Sequence, residues 1–466
     1  MTLPSQAGGA GTTADVIISN FFAPVGFVGL GPQRFWNVVL IGDDVFDASK
    51  LSTAEGIRDG HRLFGDDLNG ATSPFSPGSV TDTGGDDTFL IGDTVFDVYG
   101  DAFLFEAPRD NEVGHYVAGN DTLSADETDV GQLLVGDIGT MRDRMSAVGG
   151  DDTMAFSHTS ARSSAIGDVV VMVNATDSPR VTSLVAGNDL MEAGSPSRGT
   201  IAGDVGLMNG LTHVTGGDDT IRGGDGDETI TGDVLFAEGT GGILIGGDDL
   251  IEAGGGNDTV AGDILSPGPL GTLQAGNDTI DGGRGDDVIY GDHGPLSVDA
   301  LLVFEGDGGQ DSLDGGKGND IVDGNIGNDT VEGGSGNDTV SGGAGNDVVS
   351  GSRGNDEVNG DAGRDILSGG RGNDTLDGGG GRDTIETGGG RDTVVMEAGG
   401  KRDTVTDFHR TRDTLDLSDF GFADRGEVED LARQKGDDVI INFGSGDKLV
   451  LVDFAFQNLS DVDMIL

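Results

Sequence analysis

Aspartate recurs in this chain at a fixed spacing that could do chemistry. From Gly306 to Val395 the sequence is ten consecutive nine-residue units. The sixth position is acidic in all ten: Asp311, Asp320, Asp329, Asp338, Asp347, Asp356, Asp365, Asp374, Asp383 and Asp392. Carboxylates stacked this way repel one another unless a cation lies between them. Calcium suits such a set, because it takes six to eight oxygens from carboxylates and backbone carbonyls. Three other chemistries lack their motifs, while the abundance of acidic pairs leaves a glycosidase-type carboxylate pair open. The six histidines (His61, His115, His158, His213, His293 and His409) are isolated, so there is no H-E-x-x-H zinc site. There is no G-x-S-x-G nucleophile elbow and no G-x-x-x-x-G-K-[ST] phosphate loop. Cysteine is absent, which excludes thiolate nucleophiles and thiolate metal sites.

The elements that carry these aspartates follow from the rest of each unit. Glycine and Asn at positions one to five permit a tight turn with positive φ. Positions seven to nine suit a strand of about three residues, too short to stand alone. The eighth position is always aliphatic, as in Leu313, Val340 and Val394. Each such side chain can be buried only by stacking on its copies, which predicts a solenoid. Position two departs from Gly at Asp307, Asn325, Ser352 and Asp361, and position five carries Arg364, Arg382 and Arg391. Asn and Asp tolerate a left-handed backbone better than Ser does.

The units match G-G-x-G-x-D-x-U-x, with U aliphatic, and so resemble the repeats-in-toxin (RTX) family. The resemblance implies an all-β fold: a parallel β-roll or β-helix solenoid with multiple bound calcium ions. In that family successive turns lie on opposite edges, so units two nonads apart stack. This would place Asp311, Asp329, Asp347, Asp365 and Asp383 on one edge, and Asp320, Asp338, Asp356, Asp374 and Asp392 on the other. It also implies backbone-carbonyl ligands in the turns. These are Gly315, Lys317 and Asn319; Gly324, Ile326 and Asn328; Gly333, Ser335 and Asn337; and Gly342, Ala344 and Asn346.

Upstream, from about Ile41 to Val303, a looser repeat pairs two elements. One is a turn such as Gly216-Gly217-Asp218-Asp219, with its second acid recurring at Asp87, Asp121, Asp152, Asp189, Asp219, Asp249 and Asp278. The other is a Gly-Asp-aliphatic step, at Asp137, Asp168, Asp204, Asp233, Asp263 and Asp292. Between them lie nonads at 253–261 and 282–290, with Asp258 and Asp287 in sixth position; the related unit at 223–231 carries Glu228 there. The expected reading is the same solenoid with a longer excursion in each coil. Residues 234–245 would form an extra strand or loop. Asp219, Asp249, Asp258, Asp278 and Asp287 join the expected calcium ligands.

Composition agrees with a cation-dependent fold. The 466 residues include 83 Asp plus Glu against 26 Lys plus Arg, a formal net charge of -57. Such a chain repels nucleic acid, and self-repulsion opposes its compact state. No stretch is long and apolar enough for a transmembrane helix. Residues 1–40 hold Phe21, Phe22, Phe27, Phe35 and Trp36 and are expected to cap the solenoid. The expected division is then an irregular solenoid over 41–303, the regular roll over 304–395 and a C-terminal β-rich cap over 396–466. That cap resembles the one that follows the repeats in serralysin-type proteins. A short helix is expected over 424–434 and a hairpin from 437–443 and 448–453. The terminus Asp461-Val462-Asp463-Met464-Ile465-Leu466 resembles an uncleaved type I secretion signal, with the type I apparatus as the partner in export. The expected function is a secreted, extracellular or cell-surface calcium-binding protein without catalysis. Its role would be structural, adhesive or matrix-forming, with cell-surface polysaccharide or self-association as further partners. The alternative is an extracellular polysaccharide-modifying enzyme on a calcium-stabilised β-helix.

Overall fold

The computed structural model is built almost entirely of short parallel strands. It describes residues 308–466 continuously, 212–296 except 239–241 and 269–270, and shorter stretches of 114–209. Ahead of 114, and at 303–304, it describes isolated strands. Phe21, Phe22, Phe27, Phe35 and Asp307 lie outside the described residues.

The nonads wind into two facing sheets. Strand Thr330–Glu332 pairs in parallel with Val348–Ser350, which pairs with Ile366–Ser368. On the opposite face Thr339–Ser341 pairs with Glu357–Asn359, then Thr375–Asp377. Partners are therefore 18 residues apart, as the repeat predicts. In each strand the middle residue points inward and its neighbours outward. Val331, Val340, Val349 and Val358 thus form one file of aliphatics between the sheets.

The upstream coils contain two more strands than the nonads do. One coil runs Thr229–Thr231, Val234–Glu238, Ile243–Ile245 and Leu250–Glu252 before re-entering at Thr259–Ala261. The first and fourth strands continue the two sheets of the roll. The second and third join two further parallel stacks. The expected extra strand over 234–245 is therefore two strands. They enclose a second core, including Val205, Met208, Val234, Leu244, Ile264 and Leu273.

Antiparallel pairing occurs near both ends. Ile17–Asn20 pairs antiparallel with Trp36–Val39. At the other end Ala432–Lys435, Asp438–Gly444 and Asp447–Leu451 form an antiparallel set, and Asp447–Leu451 lies parallel to Arg402–Val405. The helix is Arg425–Leu431, shorter than expected. Asp424 caps it by accepting the Glu427 N–H, and it stops because Ala432 enters a strand. The final strand, Asp463–Ile465, pairs in parallel with Thr414–Asp416.

Candidate metal centre

Each sixth-position aspartate ends a turn and begins a strand, so its side chain points back under the turn. The backbone then sets its first bond. Asp320 N–H donates to Asp338 Oδ1 at 2.9 Å, and Asp338 N–H donates to Asp356 Oδ1 at 3.0 Å. The other edge repeats this, with Asp311 N–H to Asp329 Oδ1 at 2.9 Å and Asp329 N–H to Asp347 Oδ1 at 2.9 Å. The expected partition of the ten aspartates over two edges is thus the one observed.

The second oxygen has no such partner. From Asp311 to Asp392, every sixth-position Oδ2 is buried and accepts no hydrogen bond; the same holds for Asp219, Asp249, Asp258, Asp278 and Asp287. Ion pairs between described residues join Arg222 to Glu192 and Glu252, and Arg410 to Asp461. None involves these aspartates. A buried, unpaired carboxylate is costly, so the sites require a cation or a proton. Burial accordingly pushes the carboxyls of Asp320, Asp329, Asp338 and Asp365 up to about 7. Asp311 rises to about 9, through burial first and the neighbouring Asp292 second.

Backbone oxygens sit beside these bare oxygens. A Cβ on Gly315 would meet both Asp320 Oδ2, at 2.9 Å, and the Gly333 carbonyl oxygen, at 2.8 Å. A Cβ on Gly282 would meet Asp287 Oδ2 and the Gly315 oxygen, both at 2.9 Å. Equivalent cradles pair Asp311 with the Gly324 oxygen and Asp329 with the Gly342 oxygen. These glycines cannot carry a side chain without filling the space an ion needs. All the donors are hard oxygens, which fits calcium. The carbonyls of Lys317, Ser335 and Ala344 already accept an N–H from Gly285, Gly318 and Gly327, leaving each one further lone pair. Among the described residues, no backbone N–H of the turns donates to the carbonyls of Ile326, Asn319, Asn328, Asn337 or Asn346.

Position five has its own structural duty. Asn337, Asn355 and Asn373 each donate their backbone N–H to the Asn side chain one coil before, at 2.8–2.9 Å. Arg391 donates its N–H in the last of these bonds, to Asn373 Oδ1, and its own side chain offers no acceptor onward. Position two is left-handed at Asn325 (φ 65°), Ser352 (φ 69°) and Asp361 (φ 61°), so Ser352 bears the least tolerated of these conformations.

The carboxylate columns reach beyond the nonads. Asp383 N–H donates to Asp403 Oδ1 at 3.1 Å, and Asp392 N–H to Asp413 Oδ1 at 3.4 Å. Asp413 closes its column, because its other oxygen accepts the His409 N–H at 2.7 Å. Upstream, one column continues through Asp278, Asp249, Asp219 and Asp189 to Asp152 and Asp121. The other runs back through Asp287 and Asp258 to Glu228, which donates its N–H to Asp258. Sequence reasoning left out Asp403 and Asp413. The signal was there in Arg402-Asp403-Thr404-Val405 and Arg412-Asp413-Thr414-Leu415, which copy the end of the last nonad, Arg391-Asp392-Thr393-Val394.

The Gly-Asp steps lie in the interior. Asp168, Asp204, Asp233, Asp263 and Asp292 are fully buried at the junction between the two cores. Among the described residues, two groups bring carboxylate oxygens within 4.8 Å of one another: Asp121, Asp137 and Asp152, and Asp168, Asp189 and Asp204.

No curated protein sequence matches the chain. Among solved structures, the extracellular lipase LipA from Serratia marcescens is similar at 18% identity, with a TM-score of 0.24, over 53% of this chain and 40% of that one. The chain thus spans well under half of that structure's length. The RTX calcium-binding nonapeptide repeat (4 copies) matches residues 213–234, 246–264, 274–294, 303–331, 323–358, 332–367 and 359–394. Residues 213–234, 246–264, 274–294 and 303–394 of this chain are therefore RTX calcium-binding repeats, a family that binds multiple calcium ions, and the buried aspartates described above fit such ions.

Proposed function

We propose that this is a secreted structural rod that folds on calcium and acts at the cell surface without catalysis. The observation that carries the reading is the uninterrupted column of buried carboxylates, each with one oxygen that accepts no hydrogen bond, from Asp189 through Asp311 to Asp383. Binding of calcium would supply the folding free energy, as in other metal-dependent modules. Extracellular calcium modules bind at about 10⁻⁴ to 10⁻³ M, so the chain would stay unfolded at cytosolic calcium and fold outside. The sixth-position aspartates and the turn carbonyls are the proposed ligands. The proposed units are the cap at 1–40, the coils at 41–303, the roll at 304–395 and the cap at 396–466.

An adhesive role toward acidic polysaccharide is supported by one groove on the C-terminal cap. Arg382, Lys401, Arg402, Arg433, Lys435 and Lys448 line it, in a chain with 26 basic residues in all. Calcium-dependent binding of the protein to an acidic polysaccharide, lost in Arg402→Ser/Lys435→Ser, is the expected result. Equal retention on a neutral polysaccharide would overturn the adhesive reading.

Export by a type I apparatus is proposed to depend on the last residues. Deleting Ser460 to Leu466 should hold the protein in the producing cell. The same deletion removes the strand paired with Thr414–Asp416, so Leu415→Ala, which weakens that cap but keeps the tail, is the control. Undiminished export of the truncation would sink the idea.

A further inference from the structure

The Gly-Asp step of each upstream coil is the beginning of an interrupted turn. In the nonads, the position-one glycine carbonyl lies beside the bare Oδ2 of the aspartate one coil earlier, as Gly342 lies beside Asp329. The upstream series continues this without a break. A Cβ on Gly203 would overlap Asp219 Oδ2 and the Gly232 oxygen. Likewise one on Gly232 would overlap Asp249 Oδ2 and the Gly262 oxygen, and one on Gly262 would overlap Asp278 Oδ2 and the Gly291 oxygen. Gly203, Gly232 and Gly262 therefore hold the place of position one. The two extra strands are spliced into the turn between that glycine and the closing aspartate.

Splicing carries the middle of the turn away, and with it the carbonyls of positions three and five. An aspartate directly follows each of these glycines. Its carboxylate enters the space between the two cores. Asp168, Asp189 and Asp204 bring one oxygen each within 4.8 Å of one another. Asp168 Oδ1, Asp189 Oδ2 and Asp204 Oδ1 are buried and accept no hydrogen bond. The Gly203 carbonyl oxygen joins them, since a Cβ on Gly167 would overlap both it and Asp189 Oδ2.

We propose that the upstream coils hold an interior column of divalent cations, calcium by chemistry, bound between the two hydrophobic cores by the Gly-Asp aspartates together with the turn-closing aspartates. The Asp168–Asp189–Asp204 site is its defined example. This rests on the calcium reading above, but it assigns a different ligand set: a side-chain carboxylate in place of the turn carbonyls. Each coil adds one aspartate of each kind, as with Asp204 and Asp219, so two carboxylates balance one divalent ion per coil. Neutrality is what a site sealed between two apolar cores requires. At the edges of the roll, each turn supplies a single buried aspartate, so carbonyl dipoles and solvent must do more. Asp168, Asp204 and Asp263 each keep one buried oxygen bare, whereas Asp233 shares the single Gly247 N–H between its two oxygens. Asp292, the last Gly-Asp aspartate, spends its two oxygens on two separate N–H groups, those of Gly309 and Ile326, and ends the column.

The test uses the full chain. Calcium stoichiometry is measured by equilibrium dialysis for the wild type and for Asp168→Asn/Asp204→Asn, which keeps shape but removes charge. The double variant should bind at least one ion fewer while the nonapeptide sites still fill. Equal stoichiometry in the two proteins would overturn the proposal, whereas a wild type that binds no calcium would instead overturn the function proposed above. If the variant does not fold, terbium-loaded crystals of the wild type decide. An anomalous peak among Asp168, Asp189 and Asp204 supports the column; peaks confined to the edge turns refute it.

Discussion

The regular roll and the four-strand coils solve one electrostatic problem with different materials. In the roll, Asp338 keeps Oδ1 for the neighbouring backbone and leaves Oδ2 bare beside turn carbonyls at an edge. In the coils, Asp219 does the same, but its bare oxygen faces inward, toward Gly203 and the Gly-Asp step. The hydrophobic arrangement differs in parallel. The roll has a single file of Val, Leu and Ile, whereas the coils have that file and a second core around Val205, Met208 and Val234. A short nonad can repeat without limit but buries little; a spliced turn buries more and must bring its own charge balance. Solenoid stability is a sum of coil terms and neighbour terms, so the two halves should respond differently to the same insult.

Removing calcium should have the largest effect. In excess chelator, circular dichroism and small-angle scattering should report an expanded chain with little β-structure, because the net charge of -57 is then unopposed. A chain that stays compact and β-rich in chelator would break the comparison at its root, since neither half would need ions.

Single carboxylates come next. Asp338 is held between Asp320 and Asp356, while Asp392 borders Asp413, whose second oxygen the cap already satisfies. Asp338→Ala strands the Asp320 N–H at a cost of about 1–3 kcal/mol. It should also uncouple sites in both directions. Titration calorimetry should therefore show a greater loss of calcium binding for Asp338→Ala than for Asp392→Ala. Equal losses would contradict coil-to-coil coupling.

Acidity should act oppositely with and without calcium. Burial raises the carboxyls of Asp347 and Asp374 to about 6 and those of Asp329 and Asp338 to about 7, above an unfolded value of about 4. A raised folded value favours the protonated fold. That contribution is complete below about pH 4 and is lost as pH rises through about 6 to 7. The metal-free chain should thus gain compaction on acidification over this window. The calcium-loaded chain should lose affinity over it, because protons compete for the same oxygens. Scattering in chelator and calcium titrations at pH 5 and 7.5 would check both signs.

Backbone strain gives the smallest effects. Gly334 has φ 94°, and a Cβ there would overlap the Gly316 oxygen, so Gly334→Ala should cost more than the roughly 1–2 kcal/mol of left-handed strain alone. Ser352→Gly should relieve strain of that order, partly offset by losing its 2.7 Å bond to Glu332. Urea midpoints in saturating calcium should move in opposite directions for the two variants.

Local repetition made the roll legible from residue order alone. Ten copies of Asp at position six and an aliphatic at position eight leave one way to bury the aliphatics, and so dictate strand length, stacking interval and the two edges. Residues 234–245 suggest only one extra strand or loop, because their apolar pattern does not say which partners they meet. Tertiary structure made them two strands with their own core. The Gly-Asp steps were visible as a repeat, yet nothing local distinguishes an aspartate at a solvated turn from one between two cores. Only the placement of Gly203 beside Asp219 and the Gly232 oxygen does that. Spacing along a chain determines which residues stack; where a carboxylate points, and whether water or a cation must answer it, depends on what packs against it from coils about 30 residues away.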